Sequence, residues 1–168
     1  MKWTRLYGLE ATFPIGGAAA EFEDAVDLIG RNVPLFDRAN EMLVFGEEGH
    51  FLYARECMAA RDLLAEPIEL LLLLEGTRRE SLYDDYAIAS QAGNAFLDLA
   101  LTAVFSLKAT KPGAEPVPAY HQLREHLVAS VDGSSETAAS AFAIDRQLSE
   151  LAVRIASAYG CTVEWLFH

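Results

Sequence analysis

The longest apolar stretch of the chain runs from Tyr86 to Leu107, and Asp98 is its only formally charged side chain. Within it Gln91, Asn94, Asp98 and Thr102 are spaced by three, four and four. On a helix that spacing gathers them into one polar stripe and leaves every other direction apolar. The pattern predicts a central helix over 86–107, wrapped on most sides by others. Ile68 to Leu74, IELLLLL, is leucine-rich rather than β-branched, which favours a second buried helix.

Amphipathic helices are expected around that centre. Phe22, Ala25, Val26 and Ile29 recur at helical spacing from Ala18 to about Ile29, with Glu21, Glu23 and Asp24 in the early turns where the helix dipole favours acids. Leu35 to Leu43 keeps the helical period for two turns, so 34–45 is expected as helix, against a hairpin of 42–45 with 51–53. Further helices are expected over 50–64, closed by Pro67, and from Arg78, behind the T-x-x-E box of Thr77 and Glu80. Two more are expected over 121–130 and from Ser134 to Tyr159, with Glu136 in the first turn of the latter.

Strand-like alternation is confined to the ends. Residues 2–13 alternate loosely, and Cys161 to His168 alternates cleanly after a helix stop at Gly160. The two are expected to pair, since a lone terminal strand needs a partner. The segment 109–118, ATKPGAEPVP, is a Pro-rich loop, and no internal repeat stands out. The expectation is therefore a single domain over 1–168, α+β and predominantly helical, with a small sheet from the two chain ends. An all-α bundle is the runner-up.

Charge narrows the function. Asp and Glu number 25 against 13 Lys and Arg, a formal net charge of −12, which repels nucleic-acid phosphates and anionic membranes and favours basic partners. No direct nucleic-acid or membrane binding is expected. Cys57 and Cys161 lie far apart and fit no metal spacing, and the N-terminus lacks a signal-peptide layout, so a reduced, cytoplasmic setting is expected.

Catalytic motifs are absent: there is no G-x-S-x-G, P-loop, dinucleotide fingerprint or H-E-x-x-H. Glu47 and His50 have the E-x-x-H spacing of di-iron bundles, but no second copy exists, and His121 with Glu125 lacks a third ligand. Neither a metal nor a cofactor is expected. Residues 156–166, ASAYGCTVEWL, resemble the closing segment of phage-repressor-type helix-turn-helix domains. Upstream there is no recognition helix, and the net charge opposes the DNA binding that the resemblance implies.

The acidic clusters remain. Glu21, Glu23, Asp24 and Asp27 share one helix, Glu47 and Glu48 one loop, and Glu80, Asp84 and Asp85 one helix start. Such groups suit a basic protein surface, as in immunity proteins, antitoxins and phage anti-defence inhibitors. The expected function is a non-catalytic acidic binding protein that inhibits a basic macromolecule through these nine residues. A small hydrolase using Asp98, His50 and His121 is one alternative, and an oligomeric scaffold, a homo-oligomer built on surplus apolar helix faces, is another.

Overall fold

A computed structural model describes residues 4–13, 17–132 and 140–168. In chain order the elements are β1 (Thr4–Thr12), α1 (Ala19–Asn32), β2 (Asp37–Ala39), β3 (Met42–Phe45), α2 (Glu48–Ala59), β4 (Leu64–Leu72), β5 (Arg78–Arg79) and α3 (Tyr83–Tyr86). They continue with β6 (Ala87–Ala89), β7 (Ala95–Asp98), β8 (Thr102–Ala109), α4 (Pro116–Leu123), β9 (Leu127–Val131), β10 (Ala141–Asp145), α5 (Ser149–Ala158) and β11 (Cys161–Phe167). The chain separates into two compact units. The first takes the residues up to Leu73 together with Ile88–Phe96, and the second takes Leu74–Ala87 and Leu97–His168.

In the first unit the elements β1-α1-β2-β3-α2-β4 build a sheet in the order β2-β3-β1-β4, extended by β7 and β6. β1 runs antiparallel to both β3 and β4. This is the βαββαβ, or split βαβ, arrangement. One face of the sheet packs on the two helices through Leu9, Leu43 and Phe45 against Phe22, Ile29, Ala54 and Met58. The opposite face buries Leu6, Met42, Val44, Leu70 and Phe96. That second core exists because the sheet curls until its ends meet. The Gln91 amide donates to the Arg38 carbonyl at 3.1 Å, and Asn94 Nδ2 donates to Asp37 Oδ2 at 2.7 Å.

The second unit repeats the first. The elements β8-α4-β9-β10-α5-β11 form a sheet in the order β11-β8-β10-β9, with the two-residue β5 added beyond β9. Its helix-facing core joins Phe105, Leu123, Phe142, Ile144 and Ile155. With the two units in register, an internal repeat at an offset of 98 residues becomes legible. TRLYGLEAT in β1 matches TAVFSLKAT from Thr102 to Thr110, and Asp62 and Gly160, both at positive φ (54° and 70°), precede the last strand of each unit. The repeat escapes inspection because only four of those nine residues are identical, and the others include Arg5 against Ala103 and Glu10 against Lys108.

Strand accounts for 38% of the described residues and helix for 35%, which overturns the predominantly helical expectation and the all-α alternative. The central helix over 86–107 is instead β6, β7 and β8 joined by two turns. Gln91 and Asn94 lie in the first turn with Gly93 at φ 88°, and Asp98 opens the second. Strands covered on both faces read as continuous apolar runs: neighbouring Phe96 and Leu97, which point to opposite faces, are both 0% exposed. The same two-sided burial, at Leu70 and Leu71, hides the strand in IELLLLL, whose residues 68–72 belong to β4.

Residues 34–45 hold the β2–β3 hairpin, turned at Asn40 with φ 51°. Met42–Phe45 is a strand, as the hairpin alternative had it, but its partner is Asp37–Ala39 and not 51–53, which lies in α2. Thr77 does not cap a helix; its hydroxyl donates to the Leu74 carbonyl at 2.6 Å. Pro116 and Pro118 fall in the first turns of α4, where proline is tolerated, and 127–131 is strand. Among the described residues the expected pairing of β1 with β11 is not found: β1 lies between β3 and β4, and β11 pairs with β8. Ser134 and Glu136 lie outside the described residues, while β10 occupies part of the helix expected to follow them. The strand expected at 161–168, the helix stop at Gly160 and the helix at 18–29 are present in slightly shifted form, whereas the helix expected over 50–64 ends at Ala59, and Leu64 and Pro67, its expected breaker, lie in β4.

Candidate functional site

Helix α1 carries the densest exposed charge. Its buried side is Phe22, Ala25 and Ile29, which at 100° per residue leaves Glu23, Asp24 and Asp27 pointing outward and Glu21 on a flank. Glu23 is engaged within the fold: Arg38 of β2 forks onto its two oxygens at 2.6 and 3.1 Å, while stacking over the Phe22 ring at 5.2 Å. The Arg38 hydrogen bond holds the Glu23 carboxyl below the usual carboxylate range. Glu21, Asp24 and Asp27 are exposed and enter no ion pair among the described residues. Like charges three apart on a helix repel by about 0.2–0.5 kcal/mol per pair, so this row is kept at a small cost to α1.

The other acids named from sequence divide. Glu47 and Glu48 are exposed at the start of α2, with Glu47 3.8 Å from His50. Asp84 and Asp85 are exposed in the single turn of α3. Glu80 is buried, its side chain 1% exposed. It accepts hydrogen bonds from Tyr120 Oη (2.8 Å), Ser130 Oγ (2.6 Å) and Arg124 Nε (3.3 Å). Those partners satisfy a buried carboxylate, so Glu80 ties β5 to α4 and β9 and leaves the partner-facing set. Arg78 extends the network, donating to Asp132 at 2.8 Å and to the Tyr120 hydroxyl at 3.3 Å. This network was missed because Thr77 to Glu80 also spells a capping box.

The residues named for a hydrolase hold local positions. Asp98 Oδ1 accepts the Ala100 amide at 2.7 Å, and its carbonyl accepts the Thr102 hydroxyl at 2.7 Å, the bonding of a tight turn between β7 and β8. His50 is at the start of α2 beside Glu47. His121 is on α4, its ring 5.5 Å from that of Tyr120. No hydrogen bond links Asp98 to His121 among the described residues. Nor do any three His, Cys, Asp or Glu side chains converge to hold a metal ion among those residues. Among the described residues no helix is long and apolar enough to cross a membrane.

A second carboxylate is structural in the same way as Glu80. Asp37 of β2 is 7% exposed. Burial would raise its pKa, but hydrogen bonds from Ser90, Asn94 and the Arg38 and Ala92 amides outweigh that and hold it below the ordinary carboxylate value. It therefore fastens the β6–β7 turn to β2 as an anion.

Compared with known protein families, curated proteins and solved structures, the chain matches none.

Proposed function

We propose that this chain is a non-catalytic binding protein whose α1 face engages a basic macromolecular partner and inhibits it, in the manner of an immunity protein, antitoxin or phage anti-defence inhibitor. The reading rests on Glu21, Asp24 and Asp27, exposed carboxylates that enter no ion pair among the described residues. Glu47 and Glu48 at the start of α2, whose helix packs beside α1, add to the same sign of field. Two further observations favour binding over catalysis: the two most buried carboxylates, Glu80 and Asp37, are fully engaged in holding strands, and Asp98 is engaged in a turn.

A solvent-exposed row of like charges contributes to encounter more than to residence, so the association rate is its signature. The test compares the wild type with the triple variant Glu21→Gln, Asp24→Asn, Asp27→Asn against purified basic nucleases from the native host. The wild type is expected to associate at least about tenfold faster at low salt, with the difference collapsing as ionic strength rises. Equal rates for the two proteins at every ionic strength would refute the role of this face.

A further inference from the structure

In the second unit, α5 and the end of β11 border an open cleft of about 420 Å³ lined by Ser149, Glu150, Val153, Arg154, Trp165 and His168. Ser149 with Val153, and Glu150 with Arg154, stand four residues apart on α5, so they form two adjacent rows along one face of the helix. One row ends on Val153, an apolar side chain 46% exposed, and the other carries a carboxylate and a guanidinium. We propose that this cleft is a binding site for a free α-amino acid with an aromatic side chain.

The wall opposite α5 is aromatic and anchored. The Trp165 indole meets the buried Phe105 ring edge-on at 5.5 Å, and the His168 ring lies 4.4 Å from it on the other side. Ser149 Oγ donates its proton to the Arg146 carbonyl at 2.6 Å, so it accepts from His168 Nε2 at 3.2 Å. That bond places the imidazole proton on Nε2 and makes the two side chains a strut between α5 and β11, not a nucleophile with its base. The strut and the Phe105 contact hold the indole in place beside Val153, so an incoming ring meets a preformed apolar surface.

Charge selects the rest of the ligand. Glu150 and Arg154 are neighbours on the helix, yet neither enters an ion pair among the described residues. A simple anion would meet the Glu150 carboxylate as it approached Arg154, and a simple cation would meet Arg154 as it approached Glu150. A molecule that carries an ammonium and a carboxylate on one carbon satisfies both, the carboxylate on the guanidinium fork and the ammonium on Glu150. With its two charges so placed, the third substituent of that carbon reaches Val153 and Trp165.

The probe is L-phenylalanine, titrated into the isotope-labelled full chain and followed by amide and indole chemical shifts. Saturable shifts confined to residues 149–154, the end of β11 and the Trp165 indole are expected. N-acetyl-L-phenylalanine, which lacks the ammonium, should bind about fivefold more weakly, and so should L-phenylalanine amide, which lacks the carboxylate and stands for the first residue of a peptide. Glu150→Gln and Arg154→Gln, both at exposed positions that leave the fold intact, should each weaken phenylalanine by a similar factor. Glu150→Gln should not weaken the acetylated probe further, nor Arg154→Gln the amide, because the charge that each residue meets is already gone. The triple α1 variant should bind phenylalanine as the wild type does, which separates this inference from the proposal for α1. Unchanged shifts at the solubility limit of phenylalanine, shifts that map away from α5 and β11, or a derivative that binds as tightly as phenylalanine would each overturn it.

Discussion

Replacing Glu80 with alanine removes the acceptor that three groups share in the second unit. The carboxylate is 1% exposed and receives Tyr120 Oη at 2.8 Å and Ser130 Oγ at 2.6 Å. Each bond to a buried charge contributes about 1.5–3 kcal/mol. Arg124, at 3.3 Å and with its own side chain 59% exposed, keeps its hydration and adds less than about 1 kcal/mol. Loss of the acceptor strands the Ser130 hydroxyl, 3% exposed as a residue, whereas Tyr120 retains Arg78 as a neighbour. The expected loss for Glu80→Ala is about 3–5 kcal/mol, a large part of a domain's usual stability. Glu80→Gln keeps an acceptor for both hydroxyls and loses only the charge, so its cost should be about 1–2 kcal/mol. Urea unfolding followed by Trp165 fluorescence measures both. An alanine variant within about 1 kcal/mol of wild type, or a glutamine variant as damaged as alanine, would show that the network does not hold β5, α4 and β9 together.

Other consequences are independent of that network. Asp37 is held below its ordinary pKa in the fold, so its contribution is complete above the unfolded value, near 4, and disappears as the pH falls through the lower folded value; Asp37→Asn should flatten the acid limb of a pH–stability curve, and an unchanged limb would contradict it. Glu23→Gln should cost less than about 1 kcal/mol in thermal unfolding despite its short Arg38 fork, because the carboxylate is 57% exposed. The hydrogen bond from Tyr86 to Asp145 at 2.5 Å, aided by burial, pushes the phenol up to about 12. Ultraviolet titration of Asp145→Asn should bring one tyrosine back toward its ordinary value near 10, and no change would remove the assignment. Gly160→Ala adds a Cβ 3.4 Å from Ala114 Cα at φ 70° and should cost about 1–2 kcal/mol in denaturant unfolding, whereas Asp62→Gly, at the matching position of the first unit, should be neutral or mildly stabilising.

The amphipathic helices were legible because each keeps one solvent face: α1 announces itself through Phe22, Ala25 and Ile29 set against its acids. β11 was legible because it lies at an edge and alternates cleanly. The interior strands were not. Leu70 and Leu71, or Phe96 and Leu97, face opposite sides of a sheet and are buried on both, which erases the period of two that distinguishes a strand. Gln91, Asn94 and Asp98 fell at helical spacing only because two short turns happen to be that far apart. The acidic α1 face could be read from composition and spacing. That Glu80 is buried could not, since its partners Tyr120 and Ser130 stand 40 and 50 residues away.

The central proposal, partner engagement by Glu21, Asp24 and Asp27, is tested most directly by parallel pull-downs from the native host with the wild type and the triple-neutralised variant. Bound proteins are released in salt steps and identified by mass spectrometry. The expected result is a basic protein held by the wild type at low salt, eluted as screening rises, and absent from the variant. A protein retained equally by both, or the absence of any basic protein that distinguishes them, would contradict the proposal.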